Sequence, residues 1–113
     1  MNSPSTSLLQ GTLDLLVLEL LRGEPTNGFD LAKRIQAVSN EVLKVNAGSL
    51  YPALYRLEAK ALIRADWETT KNNRQAKVYS LTAAGRKHLA AERETWELFS
   101  GAVAAILSRP KEA

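Results

Sequence analysis

The sequence predicts a mainly α-helical fold with one small β-hairpin, in which three helices precede the hairpin and one long helix follows it. Three observations carry this expectation. Apolar residues recur at helical spacing in four separate segments, the spacing changes to strict alternation at Ile63, and Gly23, Pro25, Asn72 and Pro110 fall where those segments should stop or turn.

The 113 residues suit one domain with a single core. The first periodic segment spans Leu9 to Arg22, with Leu9, Leu13, Leu16, Val17, Leu20 and Leu21 along one face. Leu15 and Leu18 fall on the opposite side, so this helix is expected to be covered on both sides. Gly23 and Pro25 end it. Asn27 is placed to cap a second helix, and Asp30 in its first turn suits the helix dipole. Leu31, Ile35 and Val38 form the inward stripe, while Lys33, Arg34 and Gln36 face water. A third helix is expected over Ser49 to Ala61. Only the first few amides of a helix lack an acceptor, so Pro52 puts the cap near Ser49. Leu50, Leu54 and Leu57 point inward; the opposite face presents Gly48, Pro52, Tyr55, Arg56 and Ala59, flanked by Ser49 and Tyr51.

Beyond it, Ile63, Ala65 and Trp67 alternate with Arg64, Asp66 and Glu68, the pattern of a strand whose first set, Trp67 included, faces the core. A second strand, Ala76 to Leu81, sets Lys77, Tyr79 and Leu81 on one face, and the polar Thr70 to Gln75 between them makes a hairpin with a basic tip. Thr82 caps a last helix that reaches about Ser108, before Pro110, and is about 39 Å long. Leu89, Trp96, Phe99, Val103 and Ile106 form a heptad-like seam along it that needs a partner, interrupted by Glu92 and containing Gly101. The organisation is therefore a polar N-terminus at residues 1–7, a body at 8–81, a dimerisation helix at 82–108 and a tail at 109–113.

Composition narrows the function. With no cysteine and only His88, disulfides, thiol chemistry and the usual zinc sites are excluded, and no metal or cofactor is expected. No glycine-rich phosphate loop, nucleophile–base pair or carboxylate pair stands out, so an enzyme is not expected. No segment has the roughly 18 apolar residues of a membrane span and the start lacks a secretory pattern, which points to the cytoplasm. The net charge of +3 is modest, but Lys71, Arg74, Lys77, Arg86 and Lys87 form a run without any acid.

Three helices, a hairpin and a long last helix in that order describe a winged helix-turn-helix with a C-terminal dimerisation helix. Such a fold can lay its third helix in the major groove of double-stranded DNA, with Ser49, Tyr51, Pro52, Tyr55 and Arg56 foremost. Arg56 has the donor geometry for guanine and equally for phosphate; Lys71, Asn72, Asn73, Arg74 and Lys77 of the wing suit the backbone or the minor groove. The competing reading is a winged-helix module that docks another protein. It calls for an apolar or acidic third-helix face, against which Arg56 and the cationic wing nearby both count.

The residues also resemble a known family. The run Gly48-Ser49-Leu50-Tyr51-Pro52-Ala53-Leu54-Tyr55-Arg56-Leu57-Glu58 is similar to the signature of PadR-family transcriptional regulators. Gly11-Thr12-Leu13-Asp14-Leu15-Leu16, Asn27-Gly28-Phe29 and Tyr79-Ser80-Leu81-Thr82-Ala83-Ala84-Gly85 agree with it in order, over about Leu8 to Leu107. Phe29 and Asn27 depart from the tyrosine and histidine frequent there. The resemblance implies a homodimeric repressor on a pseudo-palindromic operator, of the short-tailed subgroup with one helix after the wing. With the seam read from spacing, the dimer interface is expected at Leu9, Leu13, Leu89, Trp96, Phe99, Val103 and Ile106. A small aromatic effector would sit near that interface, against Trp96 with Phe99 and the first helix as walls. At helical spacing, Trp96 and Phe99 also read as plain dimer core.

Overall fold

In the computed structural model, which describes residues 6–111 and side chains from Gly11 onward, the expected order is present with one addition. The elements are α1 (Thr6–Gly23), β1 (Thr26–Asn27), α2 (Gly28–Val38), α3 (Ala47–Ala59), β2 (Ile63–Thr69), β3 (Gln75–Leu81) and α4 (Ala83–Leu107). The hairpin is thus part of a three-stranded antiparallel sheet in the order β1-β3-β2, with Thr26 opposite Tyr79. Two residues show no alternation, and β1 exists because the link between α1 and α2 runs along the edge of β3.

Capping sets most boundaries. Asn27 caps α2 by accepting from the Asp30 amide at 2.8 Å, and its own amide donates to the Asp30 carboxylate. α3 begins earlier than expected: Asn46, not Ser49, is the cap, accepting from the Ser49 amide at 2.9 Å. Pro52 is consequently inside the helix, where it withholds one bond from the Gly48 carbonyl without stopping it. At the other end, Leu62 N donates to Leu57 O and Ala61 N to Glu58 O, which places Ala61 in the left-handed region at φ 61°. Thr82 caps α4 through Gly85 N and also donates to the Ala61 and Leu62 carbonyls, so the last helix is fastened to the end of α3. α4 comes so near that a Cβ on Gly85 would overlap the Leu62 carbonyl oxygen.

The core lies between α1, α2, α3 and the base of the sheet, with Val17, Leu18, Leu31, Leu50, Leu54, Leu57 and Ile63 almost wholly enclosed. From Gly11 onward, α1 buries Leu13, Val17, Leu18 and Leu21, while Leu15, Leu16 and Leu20 are partly buried. Two expected core residues lie outside it. Val38, at the end of α2, is 66% exposed because the chain turns away there through Asn40 and Glu41, both at positive φ. Trp67 is also 66% exposed: it shares a strand face with buried Ile63, but β2 runs past the body into the wing, where nothing covers that face.

Candidate nucleic-acid interface

α3 separates its residues cleanly. Leu50, Ala53, Leu54 and Leu57 are buried against α1, α2 and the sheet, while Gly48, Ser49, Tyr51, Pro52, Tyr55 and Ala59 stand in solvent. Tyr51 is fixed by the start of α2: its ring passes so close to Gly28 that a Cβ there would lie 2.7–2.9 Å from three of its atoms. A side chain at Gly28 would therefore displace Tyr51. Tyr55 is 76% exposed and Phe29, on the first turn of α2, 68%. Together with Ala76, Lys77 and Tyr79 of β3 they line one groove, so the outer face of α3 and the root of the wing open to the same side. Lys33 lies over the Phe29 ring at 5.1 Å from its centre.

The wing carries its charges at the far end. Thr69 pairs with Gln75, and residues 70–74 close the hairpin through Thr70 N to Arg74 O at 2.7 Å and Asn73 N to Thr70 O at 2.9 Å. Asn73 takes the left-handed conformation at φ 59°, which asparagine tolerates. Lys71, Asn72, Asn73 and Arg74 are exposed, and neither Lys71 nor Arg74 is in an ion pair with another described residue. Lys77, within β3, is half-buried: its ammonium lies 3.8 Å from a Glu58 carboxylate oxygen and 5.8 Å from the Tyr79 ring centre. Burial pushes the Tyr79 phenol above its ordinary value, an effect that Lys77 opposes.

Arg56 does not stand with the outward residues. Its guanidinium turns toward α1 and donates to Asp14 at 2.8 Å, with both side chains only partly exposed. A helical projection assigns Arg56 to the outer face because it records where the Cβ leaves the helix; a long side chain can fold back to a partner 42 positions away. Asp14 and Glu58 thus matter to the site, the first through Arg56 and the second through Lys77. The available signal for Asp14 was a lone carboxylate amid leucines.

Residues 17–91 match the family described as transcriptional regulator PadR-like. The chain belongs to the PadR-like family. A protein described as a transcriptional regulator in Mycobacterium tuberculosis is 34% identical over 80 residues, covering 71% of this chain and 74% of that one. An uncharacterised transposon protein of Streptomyces fradiae is 38% identical over 89 residues, which are 79% of this chain but 24% of that protein, so the chain spans about a quarter of its length. Among solved structures, a PadR family regulator from Eggerthella lenta is 30% identical with a TM-score of 0.75, over 92% of this chain and 88% of that one. A regulator from Clostridium thermocellum, 24% identical over 88% of this chain and 96% of that one, reaches 0.80 and shares the fold. The PadR-like chain is a transcriptional regulator, and among its described residues no helix is long and apolar enough to cross a membrane.

The expected interface seam is divided by the structure. Leu13 and Leu89 are 7% and 1% exposed and are packed in the chain's own core, where α1 and α4 meet. Trp96, Phe99, Val103 and Ile106 lie beyond that point and are exposed. The Leu9 side chain lies outside the described residues. Trp96 and Phe99 are 6.1 Å apart between ring centres, and Trp96 forms one wall of a groove with Leu15, Leu16, Glu19 and Arg93, which Phe99 does not line. Gly101 faces open space.

Proposed function

We propose that this regulator represses transcription as a homodimer, joined along α4, with α3 of each copy in the major groove of a pseudo-palindromic operator and each wing tip against the flanking phosphates. The observation that carries this reading is the groove shared by Tyr51 and Tyr55 of α3 with Ala76 and Lys77 of the wing, beside the exposed cations Lys71 and Arg74. A helix about 10–12 Å across fits the roughly 12 Å major groove. Ser49 and the tyrosine hydroxyls suit phosphate oxygens and set the register, and Asn72 and Asn73 can approach the backbone without charge. Repression would take place in the cytoplasm, at the DNA itself. A planar aromatic effector that enters between Trp96, Leu15 and Leu16 would release the operator by altering how α1 and α4 pack.

Protection mapping on the DNA upstream of the protein's own gene tests the reading, with two protected half-sites expected. Lys71→Ala and Arg74→Ala should each reduce the slope of log affinity against log salt by about 0.9, one phosphate contact apiece. An unchanged slope removes the wing from the interface, and indifference to every duplex at low ionic strength ends the proposal. For the effector, planar compounds should alter Trp96 emission in a Trp67→Phe background and weaken operator binding together.

A further inference from the structure

α3 contains only two charged side chains between Ala47 and Ala59, and both are held by neighbouring elements. Arg56 is bonded to Asp14 of α1, and Glu58 faces Lys77 of β3. These two pairs brace α3 on either side. What remains for the outward face is Gly48, Ser49, Tyr51, Pro52, Tyr55 and Ala59: two rings with hydroxyls, a proline ring, one small hydroxyl and no amide, guanidinium or ammonium.

Direct reading of guanine uses a fork of donors from arginine or lysine, and reading of adenine uses asparagine or glutamine; neither type stands on this face. The base-edge feature that an apolar surface can recognise in the major groove is the C5-methyl group of thymine. For Arg56 to read guanine it would have to leave Asp14, whose side chain is only 25% exposed, as an unpaired carboxylate beneath the helix.

On the seating of α3 proposed above, we infer that the helix reads thymine: Pro52 and Tyr55 make apolar contact with the C5-methyl groups of A·T pairs, Tyr51 is held beside them by its packing on Gly28, and Arg56 and Glu58 position the helix rather than touch bases. The expected half-site is therefore built around A·T pairs under α3, and discrimination rests on methyl contact and fit. Ser49, at the first turn, is left to phosphate.

The probe is a set of duplexes that the purified full chain selects from a randomised pool. In each half-site, single thymines are replaced by deoxyuridine, which removes only the methyl group, and single guanines by 7-deazaguanine, which removes the acceptor an arginine would use. Deoxyuridine under α3 should weaken binding about four-fold per position, the ratio given by about 0.8 kcal/mol for one buried methylene-sized group. 7-Deazaguanine under α3 should leave affinity within about two-fold, against the much larger loss expected of a broken bidentate contact. Tyr55→Ala, at an exposed position, should bring the thymine-to-uridine ratio to one at a single place in each half-site. Full affinity for every deoxyuridine duplex, or a 7-deazaguanine penalty that disappears in Arg56→Ala, overturns the inference while leaving DNA binding in place. Failure to select any duplex overturns the seating of α3 as well.

Discussion

α3 and the far half of α4 both offer aromatic and aliphatic side chains to water, yet only α3 has a second face. Leu50, Ala53, Leu54 and Leu57 anchor α3 from beneath, and Asp14 and Lys77 hold its two charges from either side. Its outward tyrosines therefore stand on a helix that is complete within one chain. Past Leu89, α4 contributes nothing to the core: Trp96, Leu98, Phe99, Val103, Ile106 and Leu107 are all exposed, and the molecule stretches to 65 Å along its longest axis. Helices in proteins draw most of their stability from packing an apolar face, and a contiguous apolar strip marks a contact surface. The same residue types thus carry different meanings. On a supported face they stand on a helix already anchored from beneath; on an unsupported one they are the strip that the proposed homodimer would cover.

The largest expected effect comes from attacking the unsupported helix. Trp96→Asp with Val103→Asp should yield folded monomers in sedimentation and weaken operator binding about 100-fold or more, since the second head no longer binds at the effective concentration set by the first. A dimer that survives both changes would mean that α4 is not the seam. The comparison is sharpened within α3 by a neighbouring pair. Leu54→Ala should destabilise the fold by about 2–5 kcal/mol, whereas Tyr55→Ala, one residue along, should shift denaturant stability by no more than about 0.5 kcal/mol. Equal losses would show that Tyr55 belongs to the core. A smaller gain is expected at the end of α3, where Ala61 occupies the left-handed region and faces solvent: Ala61→Gly should stabilise by about 1 kcal/mol, read as a raised unfolding midpoint, with DNA affinity unchanged.

Much of the fold was legible because its boundaries are written in local chemistry. Asn27 and Thr82 cap the helices they were expected to cap, and the change of period at Ile63 marks a real change from helix to strand. What escaped was decided by tertiary position. Trp67 faces the direction that alternation assigns it, but direction is not burial once a strand leaves the body. Leu89 is in phase with Trp96, yet lies on the covered stretch of α4, and no periodicity says where α1 ends its cover. Asn46 outcompeted Ser49 as a cap because a proline can be accommodated a turn deeper than its missing amide alone suggests. At the site, the outer face of α3 and the basic wing tip were readable from spacing and charge; the retreat of Arg56 to Asp14 was not, since it joins residues from distant parts of the chain.

The smallest effect concerns the last tie between α4 and the body. Glu19 accepts from Arg22 at 2.6 Å and from Arg93 of α4 at 3.2 Å. The Arg22 hydrogen bond, helped by the charges of Arg22 and Arg93, holds the Glu19 carboxyl below its ordinary value of 4.5, against a burial effect in the other direction. A carboxyl lowered on folding adds stability that is fully present above its unfolded value and is lost as pH falls through its folded one. Glu19→Gln should therefore be less stable than the parent near neutral pH, by the few tenths to about 1 kcal/mol usual for exposed, screened pairs, and the two should converge in acid below the ordinary carboxylate range. Chemical denaturation at neutral and acidic pH measures this directly, and a difference independent of pH would assign Glu19 a packing role. The same difference should persist in the Trp96→Asp, Val103→Asp monomer, because the Glu19–Arg93 tie joins α1 to α4 within one chain. A difference confined to the dimer would move Glu19 into the contact between copies and carry the boundary of the unsupported region back along α4.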